Sequence, residues 1–499
     1  MPSQATANRP GLLDRVVEDV ILLILTEYCD IKSVVRLGRT CKYLCHLAFL
    51  YDVWLSLVAK LVERKIIDVR QPGNESLENL STNQLIDEVK RIMHGPKTWS
   101  HHNSSSVLDK DLNHNRLARG ELVRPAFPPA STFPLESRRT VLHPILREVA
   151  PGVWDDMTTL LPGGEYVLYL NSGRLECWSI SDKCIWMHTC AMDDASVMDF
   201  AADFVEKDQV VILTCQSTWN GSRDNFVEIT ILDLKNAKSK LVLVNRVPDF
   251  DHAGMYTSCA VGGKIAVVNM HGPALTTLLI NWSTLTYVGL RTSSPRIALI
   301  PGYLVFTLDR DVDLVLAVCP LTSFDKYWVP IDGINEPSNC ILLEDLPIIC
   351  AGVHLEQRTG HSRTGHFMAR RRKVDLWVCE SPIEPGVFRV WVYLSTGDSR
   401  AQLGGYQLTV QDSGISWESM VVQHVVAGFP VGMLYSGHRV VNAGRIKSIP
   451  QIVPPGPEYD TTRVTPLNLP GCRDFIHVSP YSGAITYSTD EHIVIVHYD

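Results

Sequence analysis

The sequence has no uninterrupted apolar run of the ~18 residues that a membrane-spanning helix requires. The run Val20 to Leu25 is apolar, but Glu18, Asp19, Glu27 and Asp30 close it in. The opening MPSQATANRPGLLDR lacks the basic start, longer apolar core and small-residue cleavage site of an export signal. Export and a helical membrane anchor are therefore not expected. Positive charge is not in excess either: 46 Lys and Arg stand against 54 Asp and Glu, a formal net charge of -8. That balance keeps a chain soluble and gives no electrostatic pull toward nucleic acid or anionic membrane. Phosphate-binding loops of the Walker type, a Gly-x-Gly-x-x-Gly after a strand, His-Glu-x-x-His and Gly-x-Ser-x-Gly are all missing. No cofactor, metal or catalytic residue is expected on these grounds. The 13 cysteines are odd in number and scattered, and several (Cys177, Cys215, Cys350, Cys379) sit in apolar runs. Such usage excludes a dense disulfide framework and points to free buried thiols in the cytosol or nucleus. Cys41 and Cys45, one helical turn apart, are expected in the core for the same reason.

What is present is an ordinary globular composition, 45% hydrophobic and 20% charged over 499 residues, long enough for two or three domains. Two regimes divide it. From Leu13 to about Met93 the apolar spacing is helical. Val17, Val20, Ile21, Ile24, Leu25 and Tyr28 share one broad helix face, with Asp14 placed to cap the start. Asp30 caps a second group carrying Val34, Val35, Leu37, Cys41, Leu44 and Cys45; a third holds Phe49, Leu50, Val53, Trp54, Leu57 and Val58. Three short helices in so few residues make a marginal core, which a partner surface or a following domain would complete. A further helix is predicted over Thr82 to Met93. Ser81 and Gln84 form its capping box, and Gly95-Pro96 ends it.

The expected domains are a flexible N-terminus (1–12), a helical module (13–60), a helical extension (61–94), a connector (95–150) and a β-rich remainder (151–499). The connector, with HHNSSS and RPAFPPASTFP, has no sustained period. From Val153 the pattern becomes strand, turn, strand. EYVLYL (165–170) ends at the turn Asn171-Ser172-Gly173 and LECWSI (175–180) at Ser181-Asp182. Paired units recur at about 40 to 60 residues, which suits propeller blades of four strands, six or seven in all. Two packed β-sandwiches are the competing architecture. The fold class expected is thus α plus all-β: a three-helix module, a connector helix and a β-propeller-like domain.

The helical start resembles the F-box family. Val16-Val17-Glu18-Asp19-Val20-Ile21-Leu22-Leu23-Ile24-Leu25 is similar to the family's first helix, and Asp30 with Ser33-Val34-Val35-Arg36-Leu37 to its second. Thr40-Cys41-Lys42-Tyr43-Leu44 and Asp52-Val53-Trp54 stand where its later motifs lie. The usual Leu-Pro pair is Val16-Val17 here, and the usual tryptophan is Leu44. The resemblance covers under a fifth of the chain. It implies docking onto the Skp-type adaptor of SCF ubiquitin ligases, and through it a cullin scaffold, with the C-terminal domain capturing an unknown protein substrate. The plan as a whole resembles fungal F-box proteins. Val16, Val17, Val20, Ile21, Leu25, Val34, Leu37, Leu44 and Trp54 are expected to divide between docking and core, in a division the sequence leaves open.

Three alternatives stay in view. One is an F-box scaffold acting outside ubiquitination. Another is a propeller hydrolase or sugar-binding protein, which would need acidic residues converging at the tunnel mouth. Asp155-Asp156 and Asp193-Asp194 are adjacent pairs whose side chains diverge on a strand, and read as turns; Asp199 and Asp203 can meet only through the fold. The third concerns RTGHSRTGHFMARRRK (358–373), a basic loop that fits either a solvated insertion or a nuclear-import signal. Its His361 and His366, with nearby His354, lack zinc-finger spacing.

Overall fold

The computed structural model has helices over residues 18–94 followed by a seven-bladed β-propeller. It describes residues 17–68, 76–99, 133–145 and, between 157 and 499, all but 191, 193–194, 219–223, 248–254, 272–275, 292–295, 311–312, 334–339, 356–372, 396–399, 412–413, 427–428, 443–448, 457–463 and 474. Asp14, Val16, the Asp155-Asp156 and Asp193-Asp194 pairs, and the basic loop apart from Lys373 lie outside the described residues.

The helical region holds α1 (Glu18–Leu23), α2 (Ile31–Gly38), α3 (Lys42–Ala48), α4 (Tyr51–Glu63) and α5 (Thr82–His94). The second group expected from the sequence is realised as α2 and α3, broken at 39–41, where Cys41 caps α3 by accepting from Leu44 N at 3.5 Å. Asp30 caps α2, its Oδ1 accepting from Ser33 N at 2.6 Å. The capping box of α5 forms as expected: Ser81 N donates to Gln84 Oε1 at 2.7 Å and Gln84 N to Ser81 Oγ at 3.4 Å. The two thiols expected in the core, Cys41 and Cys45, are instead exposed. Helical spacing alone does not say which of two weakly apolar faces turns inward.

The blades are built of antiparallel four-stranded runs, and the first strands of blades two to five, and of blades six, seven and one, adjoin in turn. Blade one runs Met157–Leu160, Tyr166–Asn171, Arg174–Ser179, Lys183–Met187; blade two, Ala195–Glu206, Gln209–Thr218, Asn225–Asp233, Lys238–Val247. Blade three runs Met255–Gly262, Ile265–His271, Thr276–Asn281, Thr286–Arg291, and two short strands (Val329–Pro330, Ile341–Leu342) join its outer edge. Blade four is Ile297–Ile300, Tyr303–Arg310, Asp313–Pro320, Ile349–Leu355; blade five, Lys373–Glu380, Val387–Ser395, Arg400–Gln411, Gly414–Val426. Blade six is Phe429–Met433, Arg439–Asn442, Pro450–Val453, Thr465–Pro466. Blade seven takes three strands from the C-terminus, Ile476–Val478, Ile485–Ser488 and Ile493–Tyr498. Its outer strand, Glu136–Leu142, comes from the segment read as connector.

The turn expected at Asn171-Ser172-Gly173 joins the middle strands of blade one; φ is positive at Ser172 and Gly173 (49° and 82°), as a two-residue hairpin matched to strand twist requires. The core is a ring of interfaces rather than a centre. Cys177 and Leu175 of blade one meet Val210 and Ile212 of blade two, and Tyr169 meets Ile493 and Ile495 across the closure.

Buried polar nodes punctuate these interfaces. In blade one Glu176 accepts from Asn171 Nδ2 (3.1 Å) and Trp178 Nε1 (2.9 Å). In blade three Asn269 Oδ1 accepts from Thr277 Oγ1 at 2.6 Å. Between blades one and two, His188 Nε2 lies 2.8 Å from Glu228 Oε1, with both side chains buried. Burial works against the His188 charge, but hydrogen bonds to Cys190 and Glu228 and the Glu228 charge outweigh it and raise its pKa to about 9. Burial alone would push Glu228 up; the His188 hydrogen bond and charge hold it below the usual carboxylate range.

Leu142 is fully buried and Val141 is 37% exposed on the opposite face of the closing strand. Leu142→Ala is expected to cost about 2–4 kcal/mol in chemical denaturation, and Val141→Ala under about 1 kcal/mol; equal small costs would mean the strand is merely tethered. A folded-state pKa raised above the unfolded value of about 6.5 gives stability that is complete below that pH and lost as pH climbs through 9. The thermal midpoint should therefore fall between pH 6.5 and 9, and His188→Gln should remove that part of the slope.

Candidate docking surface

α1 is held in place from below. Its end runs into one wide turn, Ile24–Tyr28, closed by Cys29 N donating to Ile24 O at 3.1 Å. The carbonyls freed there are met by α4: Lys60 Nζ donates to Glu27 O at 2.9 Å and also to Thr26 O, and Ser56 Oγ donates to Thr26 O at 3.1 Å. Ile21 and Leu25 then point into the core with Val34, Leu44, Leu47, Val53, Trp54 and Leu57. Trp54 Nε1 donates to Ala48 O at 3.0 Å, and Phe49 stacks on the Trp54 ring at 6.0 Å.

The adjoining flank is left bare. Val17 is 64% exposed, Val20 46%, Leu23 53%, Ile24 43% and Tyr28 81%. Val17, Val20, Ile24 and Tyr28 recur at helical spacing and form one stripe, bordered by the acidic first-turn residues Glu18 and Asp19. A run of exposed large apolar side chains on one helix is what a docking face presents before its partner covers it. The residues expected to divide between docking and core separate as follows. Ile21, Leu25, Val34, Leu44 and Trp54 are core, Leu37 is half-buried against it, and Val17 and Val20 are exposed. Leu23, Ile24 and Tyr28 complete the stripe. The sequence signal for Ile24 and Tyr28 was their place on the broad apolar face; Leu23 stands outside that period.

The helices are locked to the propeller through the turns that follow its first strands. Lys32 N donates to Ile383 O at 3.2 Å, and Lys32 Nζ pairs with Glu384. Arg64 reaches Glu380 Oε2 and Ser381 O, each at 3.0 Å, and Arg91 donates to Ser482 O at 3.1 Å. Lys65 lies 4.9 Å from the centre of the Phe204 ring. Ile383 and Tyr481 of the propeller pack into the helical core, completing it as its small size required. Beyond α5, Gly95 (φ +82°) passes so close to blade six that a Cβ would stand 2.6 Å from His438 Nδ1. Trp99 is then buried between His438 and Tyr498 of blades six and seven, and Thr98 N donates to Asp499 O at 2.8 Å.

The inner strands carry Asp199, Asp203 and Asp375, the residues a hydrolytic reading would draw on. Asp199 and Asp203 fold back on the next backbone N–H, of Phe200 (2.8 Å) and Phe204 (2.9 Å), and burial pushes both carboxyls up. Asp375 is paired with Arg296 at 3.3 Å. Each is engaged by its own blade or by a neighbour. No group of three or more His, Cys, Asp or Glu side chains able to hold a metal occurs among the described residues.

No family model and no curated protein matches the chain. Among solved structures, a chain of the mitotic checkpoint complex is similar over 75% of this chain and 98% of its own, at 12% identity and TM-score 0.37. The WD40 domain of SCAP from fission yeast is similar over 68% and 81%, at 8% identity and TM-score 0.35. An α-L-arabinanase of Penicillium chrysogenum, complexed with arabinobiose, is similar over 73% and 98%, at 10% identity and TM-score 0.34. None is similar enough to carry a functional reading.

The division between stripe and core is testable by stability alone. Val20→Ser and Tyr28→Ser are expected to change the unfolding free energy by less than about 0.5 kcal/mol, and Leu25→Ala to cost about 2–5 kcal/mol. Large losses at Val20 and Tyr28 would mean that the stripe is packed rather than bare.

Proposed function

We propose that this chain is a non-catalytic substrate receptor of an SCF-type ubiquitin ligase. The α1 face docks the Skp-type adaptor, and the propeller holds a target protein. The observation that carries this reading is the bare apolar stripe Val17, Val20, Leu23, Ile24 and Tyr28 on a helix whose other face is fully used. The F-box resemblance lies in the same residues. A seven-bladed propeller supplies the second half: a rigid ring whose loops vary freely over a fixed frame, suited to binding another protein. Because α2, α4 and α5 are bonded to the propeller turns, a docked adaptor and a captured target would keep a fixed relation. Holding the target's lysine near a loaded conjugating enzyme raises its effective concentration, and no chemistry is asked of this chain.

The test is a pull-down of the whole chain with a purified Skp-type adaptor, beside Val20→Asp/Ile24→Asp. Both substituted positions are exposed, so the variant should keep its circular dichroism and thermal midpoint. Ile21, being core, is unsuitable for the purpose. Binding weakened at least about tenfold in the folded variant supports the reading. Unchanged binding in the variant, or none by the folded wild type, rejects it.

A further inference from the structure

The cysteines divide by environment. Burial pushes the thiols of Cys177, Cys215, Cys259 and Cys379 up, away from the range in which a thiolate forms near neutrality. Cys41, which caps α3, and Cys45, within it, are exposed. Cys190 has a different setting. It is half-buried in the connection from blade one to blade two, with its Sγ 3.8 Å from His188 Nδ1. The other ring nitrogen of His188 lies 2.8 Å from Glu228 Oε1. Glu228 is in turn fixed by Gln216 Nε2 at 2.8 Å and Thr230 Oγ1 at 3.1 Å, and the Trp186 ring packs edge-on against His188 at 5.7 Å.

Nucleophile, ring and orienting carboxylate thus stand in series, the last two buried and the first reached by solvent. A carboxylate that keeps an imidazole protonated turns the far N–H toward the sulfur, where it stabilises negative charge. We propose that Cys190 is a reactive thiol selectively modified by low-molecular-weight disulfides of the oxidised-glutathione class. The Cys190 thiol gives its proton to water, and the resulting thiolate attacks one sulfur of the disulfide. A new S–S bond forms as the old one breaks, and the displaced thiolate leaves with the electron pair and takes a proton from water. The disulfide is the oxidant, and a free thiol reverses the exchange. The adduct places a peptide-sized group at the junction of two blades.

The experiment uses the full chain incubated with oxidised glutathione at pH 7, quenched and mapped by mass spectrometry. Cys190 is expected to react at least about tenfold faster than Cys41 and Cys45. His188→Gln and Glu228→Gln should each lower that rate by a similar factor while leaving the rates at Cys41 and Cys45 unchanged. Cys177 and Cys215 report the fold internally, because they stay unmodified in an intact propeller. Wild-type Cys190 reacting no faster than Cys41 and Cys45 overturns the proposal. So does an undiminished rate in a His188→Gln protein whose Cys177 and Cys215 remain protected. If both variants expose Cys177, the wild-type ratio decides the matter.

Discussion

A four-stranded sheet that is apolar on both faces cannot stand in water alone, and everything else in this molecule follows from that constraint. Each blade buries its two faces only between two others, so the interfaces have to run in a closed circle. The seam is where Tyr169 and Trp178 of blade one meet Ile493 and Ile495 of blade seven. Closing it falls to Glu136–Leu142, which pairs with Ile493–Tyr498 and so joins a distant upstream segment to the end of the chain. Sequence neighbours cannot do this work. The loop-closure entropy of joining such remote segments is lost once, and every interface in the ring gains from it.

The same closure governs the helical module. Between α5 and the closing strand the chain passes through Trp99, wedged between blades six and seven, so the helices are anchored next to the seam. Their small core borrows Ile383 and Tyr481 from the propeller, and the cations Lys32, Arg64 and Arg91 bind the turns around them. Half-exposed polar contacts of this kind contribute on the order of 1 kcal/mol each, so the shared apolar packing sets the attachment and the charges set its orientation. The approach is close enough that Gly164 (φ +73°) leaves no room for a Cβ, which would stand 2.8 Å from Asp68. Burial there pushes the Asp68 carboxyl up in spite of Arg91 and Arg138 nearby.

What the sequence disclosed about the propeller tracks where each strand sits in its blade. The middle strands, such as Tyr166–Asn171 and Gln209–Thr218, are buried on both faces and read as apolar runs bounded by turn residues. The first strand of blade two, ASVMDFAADFVE, carries Asp199 and Asp203 and is broken by bulges, so no period of two survives. The closing strand, ESRRTVL, exposes every second residue and ends in a single buried leucine, which is why it passed for connector. The short strands of blade six, two to five residues each, are too brief to leave a pattern. In the helical module the limit was of another kind. The exposed stripe and the core are both apolar and adjoin on α1, and periodicity places them on one broad face without dividing them. The division came from which side α4 covers.

The two departures from the F-box pattern fall at positions with different tasks. Leu44, where the family carries tryptophan, is buried among Leu47, Val53 and Trp54. A smaller apolar side chain there alters the packing of the module and leaves its outer surface as it is. Val17, where the family carries proline, stands on the outside at the head of the stripe, so under the proposed function the second departure is the one that bears on docking. Its backbone already has φ -62°, the value a proline ring imposes, with ψ 136° in the extended region that proline also adopts. What valine gives up at that position is preorganisation in the unfolded chain, about 0.4–1 kcal/mol, and the flat ring surface. The direction of α1 is unaffected, because Lys60 and Ser56 fix its far end. If the stripe docks a partner as proposed, an altered residue at its rim would cost contact area there, while Val20 and Ile24, exposed nearer its centre, would keep theirs.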